Sequence, residues 1–422
     1  VTATDSQFSK RVAGLLTYIR NKWPECVRSH QHDEDTLLGL PYPYTVPCAR
    51  GSFQELYYWD TYFTNVGLHR QGLHELAKNN TDNICSMVER FGFMLNGSRT
   101  FYLNRSQPPY LAMMVKDCYE ANPDKKWLAG AYAALTKEYD FWMTRRITPI
   151  GLNRYYHCAD DDLVRKVFEG CWGIGDRLKI ESGSDEENFR TGEHILAECE
   201  SGWDFNPRFD RRCTDFAPID LNSNLYLYEI YLAQFAQILG KPSSESADWL
   251  AKANIRKQCI NRYCWNAELG LFVDYDFRNQ KPGPVESLAG FQPLWAGLAS
   301  ERQARAIYER LNFFEYDFGM STCTLGSRTQ CYQWDYPNGW PCLQWIVVDG
   351  LDRYGYREAA ERIARKYLTA VVTQFEKTGD LWEKYNIVDG TINVANEYEM
   401  PKMMGWTAGI AIAFATRLGL GE

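Results

Sequence analysis

The sequence predicts an all-α protein, a single domain of many helices joined by long loops, which an all-helical toroid would fit. Three observations lead there. Apolar residues recur at helical spacing along much of the 422-residue chain. The intervening loops are rich in Gly, Pro, Asn and aromatic residues, as in LPYPYTVPCARGSF, LNGSRTFYLNRSQPPY and TQCYQWDYPNGWPC. No low-complexity linker or shift in composition divides the chain, so residues 1–422 read as one domain.

A first helix is expected over residues 8–22. A second carries the stripe Ile84, Met87, Val88 and Phe91, with Thr81 as its candidate N-cap. Leu128, Ala131, Tyr132, Leu135, Tyr139 and Trp142 mark a third, and further helices fit residues 222–239, 245–262 and 301–311. The clearest is YREAAERIARKYLTAVVTQFEK. There Ala359/Ala360, Ile363/Ala364, Tyr367/Leu368, Val371/Val372 and Phe375 recur every four residues between Gly355 and Gly379. A last helix covers 405–417. Helix–loop–helix units return about every 60–70 residues, too loosely for a solenoid.

Fifteen per cent of the residues are aromatic, with 14 Trp and 27 Tyr. Such a surplus suits either a Trp-rich core or platforms for the C–H faces of a sugar. The net charge of −8 without blocks of like charge argues against nucleic acid as a partner. No apolar run reaches the roughly 18 residues of a membrane span, and VTATDSQFSK carries no signal-like apolar region. A first residue of Val suggests a removed leader or tag. The 13 cysteines include no CxxC pair, which disfavours zinc. They read as reduced, buried thiols, favouring a cytoplasmic location, with periplasm or secretion open if a leader was removed. Asn79, Asn96 and Asn104 begin N-x-S/T triplets, a pattern too common by chance to establish secretion.

HExxH, GxSxG and phosphate-loop motifs are all missing, and His69 and His74 suit structural roles better than catalysis. What remains is carboxylates among rings: Asp60 in YYWDTYF, Asp204 in ESGWDFNPRF, Asp335 in QWDYPNGW, Glu383 in LWEKYN and Glu397 in ANEYEM. Packing on indole desolvates a carboxyl and raises its pKa, as a general acid near neutrality requires. Two such groups on opposite sides of a glycosidic bond can hydrolyse it. Each W-D pair can equally be an N-cap Asp beside a core Trp.

These segments resemble the trehalases, glycoside hydrolases that cleave α,α-trehalose with inversion. ARGSFQELYYWDTYF matches the family signature PGGRFxExYxWDxY at Phe53, Glu55, Tyr57, Trp59, Asp60 and Tyr62. QWDYPNGW matches the second signature at Gln333, Trp334, Asp335, Pro337, Gly339 and Trp340. ESGWDF, IDLNSNLY, WEKYN and NEYEMPKMMGWTAG extend the resemblance from about residue 40 to 410. It implies an (α/α)6 barrel with long active-site loops at one end, no metal, and no organic cofactor. It puts the general acid on Asp204 and the base on Glu383, whose carboxyls an inverting reaction needs ~6.5–9.5 Å apart. It gives sugar contacts to Phe53, Trp59, Asp60, Asn96, Arg105, Gln107, Trp334 and Glu397, with Trp203, Asp335, Trp340 and Trp406 of the same motifs.

Departures from the family pattern are as informative. Ser52 stands where the first signature has Arg, with Arg50 two positions earlier. The family's RPESY segment has no counterpart after LNRYY, where the chain reads HCADDDLVRKVFEGCWGIGDRL. Pro341-Cys342 follows Trp340, and Ala408 replaces the usual Asn. Trehalose is the leading substrate, kojibiose, sucrose or glucosylglycerate the alternatives, and a non-catalytic sugar-binding protein the contrasting class.

Overall fold

The computed structural model describes residues 3–170, 180–328, 332–396 and 398–421. Its helices are, in chain order, α1 (Ala3–Lys22), α2 (Tyr58–Arg70), α3 (His74–Phe91), α4 (Leu111–Ala121), α5 (Lys125–Arg145), α6 (Asp161–Phe168) and α7 (Asp185–Glu200). There follow α8 (Ile219–Ile238), α9 (Ser243–Tyr263), α10 (Gln292–Trp295), α11 (Glu301–Glu309), α12 (Pro341–Arg353), α13 (Arg357–Thr378) and α14 (Gly405–Arg417).

Helices α2, α4, α8, α10, α12 and α14 form a closed ring, each packed on the next, with α14 returning to α2. Around it, α3 lies on α2 and α4, α5 on α4 and α8, α9 on α8, and α13 on α12 and α14. Helix α1 rests on α13 and α14, and α11 lies against the short strand Leu271–Phe272. Outer and inner helices thus alternate along the chain as six hairpins, the (α/α)6 barrel. Helices α6 and α7 pack on each other in the connection between α5 and α8.

The two layers differ in sequence because they differ in surroundings. An outer helix buries one stripe, as α13 does with Ala359, Ala360, Ile363, Ala364, Tyr367 and Leu368. An inner helix is covered all round: every residue of α2 from Tyr58 to Leu68 is buried, and every residue of α14 from Gly405 to Ala415. The expected stretches 8–22, 222–239, 245–262, 301–311 and 405–417 coincide with α1, α8, α9, α11 and α14 within a few residues. Thr81 caps no helix, because α3 begins at His74; its buried hydroxyl donates to the Ala77 carbonyl one turn back, at 2.9 Å.

Glycine closes the ring. A Cβ on Gly67 would stand 2.5 Å from the Gly409 Cα, and one on Gly409 would stand 2.1 Å from the Phe63 carbonyl oxygen. The first and last inner helices therefore touch backbone to backbone, and no side chain can move aside. Gly409→Ala is expected to lower unfolding free energy by about 1–3 kcal/mol through overpacking. Urea titration checks this; an unchanged midpoint would mean that the ring tolerates the extra methyl.

Candidate active site

Phe53, Trp59, Asp60, Asn96, Arg105, Gln107, Asp204, Trp334, Trp340, Glu383 and Trp406 line one cavity of about 190 Å³. Each comes from the start of an inner helix or the loop leading to one. Trp59 and Asp60 are in the first turn of α2, Gln107 precedes α4, Trp340 precedes α12, and Trp406 begins α14. Helix N-termini carry partial positive charge, which suits a pocket of carboxylates.

Long-range hydrogen bonds hold this end of the barrel. Tyr57 at the N-cap of α2 offers no side-chain acceptor to the helix. Gln107 supplies one instead, accepting from the Trp59 amide at 3.2 Å. The Asn96 carbonyl accepts from the Tyr58 amide at 3.1 Å, and the Asn96 side-chain amide donates to the Ser106 carbonyl, also at 3.1 Å. Strand residues Asn338–Gly339 pair antiparallel with Tyr385–Asn386, joining the QWD loop to the WEKYN loop.

Asp204 lies in the loop between α7 and α8. Gly202, at φ 74°, brings this loop so close to Trp59 that a Cβ would stand 2.8 Å from the indole. Beyond the aspartate, the Asn206 amide donates to the buried carboxylate of Glu198 at 2.8 Å. The Asp204 carbonyl accepts from the Gln333 side chain. Burial raises the Asp204 carboxyl to about 6; the Arg105 guanidinium opposes the rise and the Glu383 charge adds to it. Asp60 is pushed further, to about 8, first by burial and then by Glu383.

Glu383 is 2 % exposed. Its Oε2 accepts from the Lys384 ammonium at 2.7 Å and its Oε1 from the Tyr398 hydroxyl at 2.5 Å, while its carbonyl accepts from the Trp406 indole at 3.1 Å. The site thus holds one carboxyl in an ion pair and two whose protons are retained to higher pH, the division an acid and a base require.

Stacked rings make the wall. Trp334 lies on Trp340 at 3.6 Å with an interplanar angle of 1°, and Trp406 stands perpendicular to both. Trp59 approaches Trp334 at 5.6 Å. Phe53 meets Tyr57 and Tyr398 edge-on, and its φ of 57° places a bulky side chain in the sparsely populated left-handed region. Strain of this kind persists where surrounding contacts over-determine the backbone.

A family model described as Trehalase matches residues 4–419. The chain belongs to the trehalase family. A periplasmic trehalase of Xanthomonas campestris pv. campestris (strain B100) is 34% identical over 429 residues, covering 94% of this chain and 72% of the relative. Neutral trehalase Nth1 from Saccharomyces cerevisiae superimposes with a TM-score of 0.77 at 30% identity, over 89% of this chain and 74% of that one. A GH63 mannosylglycerate hydrolase from Thermus thermophilus shares the fold, with a TM-score of 0.66 at 17% identity over 95% of this chain and all of that one. The Xanthomonas relative is named a periplasmic trehalase, so the cysteine-based preference for the cytoplasm gains no support from it. No described helix is long and apolar enough to cross a membrane.

Two residues of the trehalase motifs stand elsewhere. Asp335 does not line the cavity; its carboxylate takes a two-point bond from Arg328, at 2.6 and 2.8 Å, and a 2.7 Å bond from the Tyr336 amide. Trp203 is a second layer, stacked behind Trp334 at 5.4 Å. Glu397 lies outside the described residues. No W-D aspartate is an N-cap: Asp60 is inside α2, and Asp204 and Asp335 are in loops. Glu55 accepts from the Tyr57 hydroxyl at 2.7 Å and pairs with Arg99 at 3.4 Å, so it orients a cavity wall without lining it.

Reading the sequence missed Tyr57, Tyr102, Gly202, Gln333, Tyr398 and Met403, which also line the cavity, and Lys384, which pairs with its base candidate. Lys384 had a usable signal, since a lysine beside the WE carboxylate has an obvious partner. Of the departures from the family pattern, Arg50 and Ser52 are exposed and off the cavity, while Cys342 and Ala408 are fully buried in α12 and α14. Where RPESY is missing, residues 171–179 lie outside the described residues. Asn96 and Asn104, which begin N-x-S/T triplets, are 5 % and 7 % exposed. Among the described residues eleven cysteines are free.

Proposed function

We propose that the chain hydrolyses α,α-trehalose with inversion, Asp204 acting as general acid and Glu383 as general base. One observation carries the reading: a carboxyl held at about 6 and a second in an ion pair share a single Trp-walled cavity. Asp204 protonates the glycosidic oxygen while Glu383 takes a proton from the water that attacks C1 on the opposite face. Asp60, Asn96, Arg105 and Gln107 supply hydrogen bonds to hydroxyls, and the indoles cover C–H faces.

The products test it. Inversion at one anomeric centre of α,α-trehalose releases one β-glucose and one α-glucose, whereas retention releases two α-glucoses. NMR of the first turnovers is expected to show the two anomers in equal amounts. Two α-glucoses would exclude the assignment of Glu383 as base.

A second reading follows from Ser52 and the missing RPESY segment. Among the described residues Arg105 is the one arginine lining the cavity, and a site with few arginines leaves fewer donors unpaired when the leaving group is not glucose, so it rejects other aglycones less sharply. Kojibiose, sucrose and glucosylglycerate are the comparison substrates. Trehalose is expected to give the highest kcat/KM; a higher value for any other would move the assignment to that glycoside. Tight trehalose binding with no turnover of any of the four would favour a sugar-binding protein.

A further inference from the structure

We propose that the mouth of the barrel opposite the catalytic cavity is a second binding site, which takes a neutral sugar of hexose size through Asp117, Tyr231 and Asp349. Inner helices that start at the catalytic cavity end at this far mouth. Trp59 and Asp60 open α2 and Arg70 closes it; Gln107 precedes α4, and Lys116, Asp117 and Glu120 lie in its second half; Trp340 precedes α12, and Asp349 and Arg353 lie near its end. The ten residues from Asp60 to Arg70 separate the two mouths by about 15 Å. The far ends enclose a cavity of about 360 Å³, larger than the catalytic one and within the roughly 300–1,000 Å³ of small-molecule sites.

Polar groups in this cavity lack partners within the protein. Tyr231 of α8 is 8 % exposed, and its hydroxyl makes no hydrogen bond to any described residue. The charges that act on this phenol, on Lys116, Arg353, Asp117 and Glu120, all belong to the cavity lining, so the hydroxyl points into it. The half-buried Asp349 makes no hydrogen bond or ion pair with a described residue; burial raises its carboxyl, and the charges of Arg353 and Arg70 oppose the rise. Asp117 is 3.6 Å from the Lys116 ammonium, which is turned to Glu120 at 2.7 Å, and burial raises Asp117 to about 6. Buried polar groups are ordinarily satisfied, and a hydroxylated occupant would complete the bonds that these three side chains lack.

The lining selects the class of occupant. Asp117, Glu120 and Asp349 stand against Arg70, Lys116 and Arg353. A charged ligand of either sign would meet like charge on one side of such a cavity. A neutral polyol meets both signs, since each hydroxyl can donate to a carboxylate or phenol oxygen and accept from a guanidinium or ammonium. Tyr62, Trp295 and Trp345 supply aromatic wall beside these groups, as the C–H faces of a pyranose require. The Arg70 guanidinium is held 5.0 Å from the Trp345 ring centroid and donates to the Val66 carbonyl at 2.8 Å, which fixes one donor at the rim.

Equilibrium dialysis of the full chain against radiolabelled glucose reads the site as glucose bound per chain. The parent is expected to hold one more glucose per chain than Asp349→Leu, which puts an apolar group of similar size in place of the carboxylate, while kcat/KM for trehalose stays unchanged. Tyr231→Phe removes only the hydroxyl. It is expected to weaken binding of the same glucose by about 3–10-fold, and it carries the test if Asp349→Leu does not fold. α,α-Thiotrehalose, whose sulfur linkage resists hydrolysis, distinguishes the two sources of sugar: competition for the Asp349-dependent glucose means that the site also takes the disaccharide, and no competition means that it takes the hexose alone. Equal glucose counts in the parent and Asp349→Leu, whether zero or one, overturn the proposal, as does a Tyr231→Phe variant that binds glucose as the parent does. A chain that leaves trehalose uncleaved yet keeps the Asp349-dependent glucose sinks the hydrolase reading and leaves the second site standing.

Discussion

In Asp204→Asn, hydrolysis of trehalose falls by about 10²–10⁴-fold while α-glucosyl fluoride is still cleaved at close to the parent rate. The second glucose of trehalose departs as an alkoxide unless a proton reaches the glycosidic oxygen. Fluoride leaves as a weakly basic anion and needs little help. Asn keeps the shape of Asp204, so Gly202, Trp203 and the bond from Gln333 to the residue 204 carbonyl stay in place. What changes is the proton that burial holds on the carboxyl up to about pH 6. Glu383→Gln is expected to abolish turnover of both substrates, because both need activated water. Stopped assays of glucose and fluoride release read both. A variant Asp204→Asn that cleaves trehalose at the parent rate, or loses both substrates equally, removes Asp204 from the acid role.

The barrel's outer layer was legible in the sequence and most of its inner layer was not, for a physical reason. Helix α13 shows its stripe because only one side meets the core, whereas α2 is enclosed from Tyr58 to Leu68 and shows no stripe to read. The signature YYWDTYF was conspicuous for the same reason: the crowding of rings and a carboxylate that fits no amphipathic face is what the start of an enclosed helix looks like. The carboxylates Asp60, Asp204 and Glu383 could be picked out because indoles flank them. Tyr102 and Met403 could not, since nothing in their local sequence separates a cavity wall from a core position. Asp335 misled because it shares the W-D pattern, and its partner Arg328 stands seven residues earlier, outside the motif. Local pattern marked these carboxylates; that they share one cavity needed the closed ring.

Arg208→Met is expected to cost about 3–5 kcal/mol of stability, more than any surface change, because it strands two buried carboxylates. Arg208 is fully buried. It bonds Asp274 at 2.8 and 2.9 Å and Asp220, in the first turn of α8, at 2.8 and 3.0 Å. Its guanidinium also lies 4.2 Å from the Trp203 ring centroid, directly behind the loop that carries Asp204. One cation thus pairs with two carboxylates and fixes the loop that carries Asp204 to the start of an inner helix. Methionine fills much the same space without charge. Asp274, already raised by burial and restrained by Arg208, then holds its proton in the folded state to higher pH. A carboxyl whose folded pKa exceeds its unfolded value gives stability that is full below the unfolded pKa, about 4, and lost as pH rises through the folded one. The deficit of Arg208→Met is therefore expected to be larger at neutral pH than near the unfolded pKa, and to shrink when Asp220→Asn and Asp274→Asn are added. Urea unfolding of the parent and both variants at the two pH values measures it. A deficit independent of pH would mean that lost packing on Trp203, and not stranded charge, sets the cost.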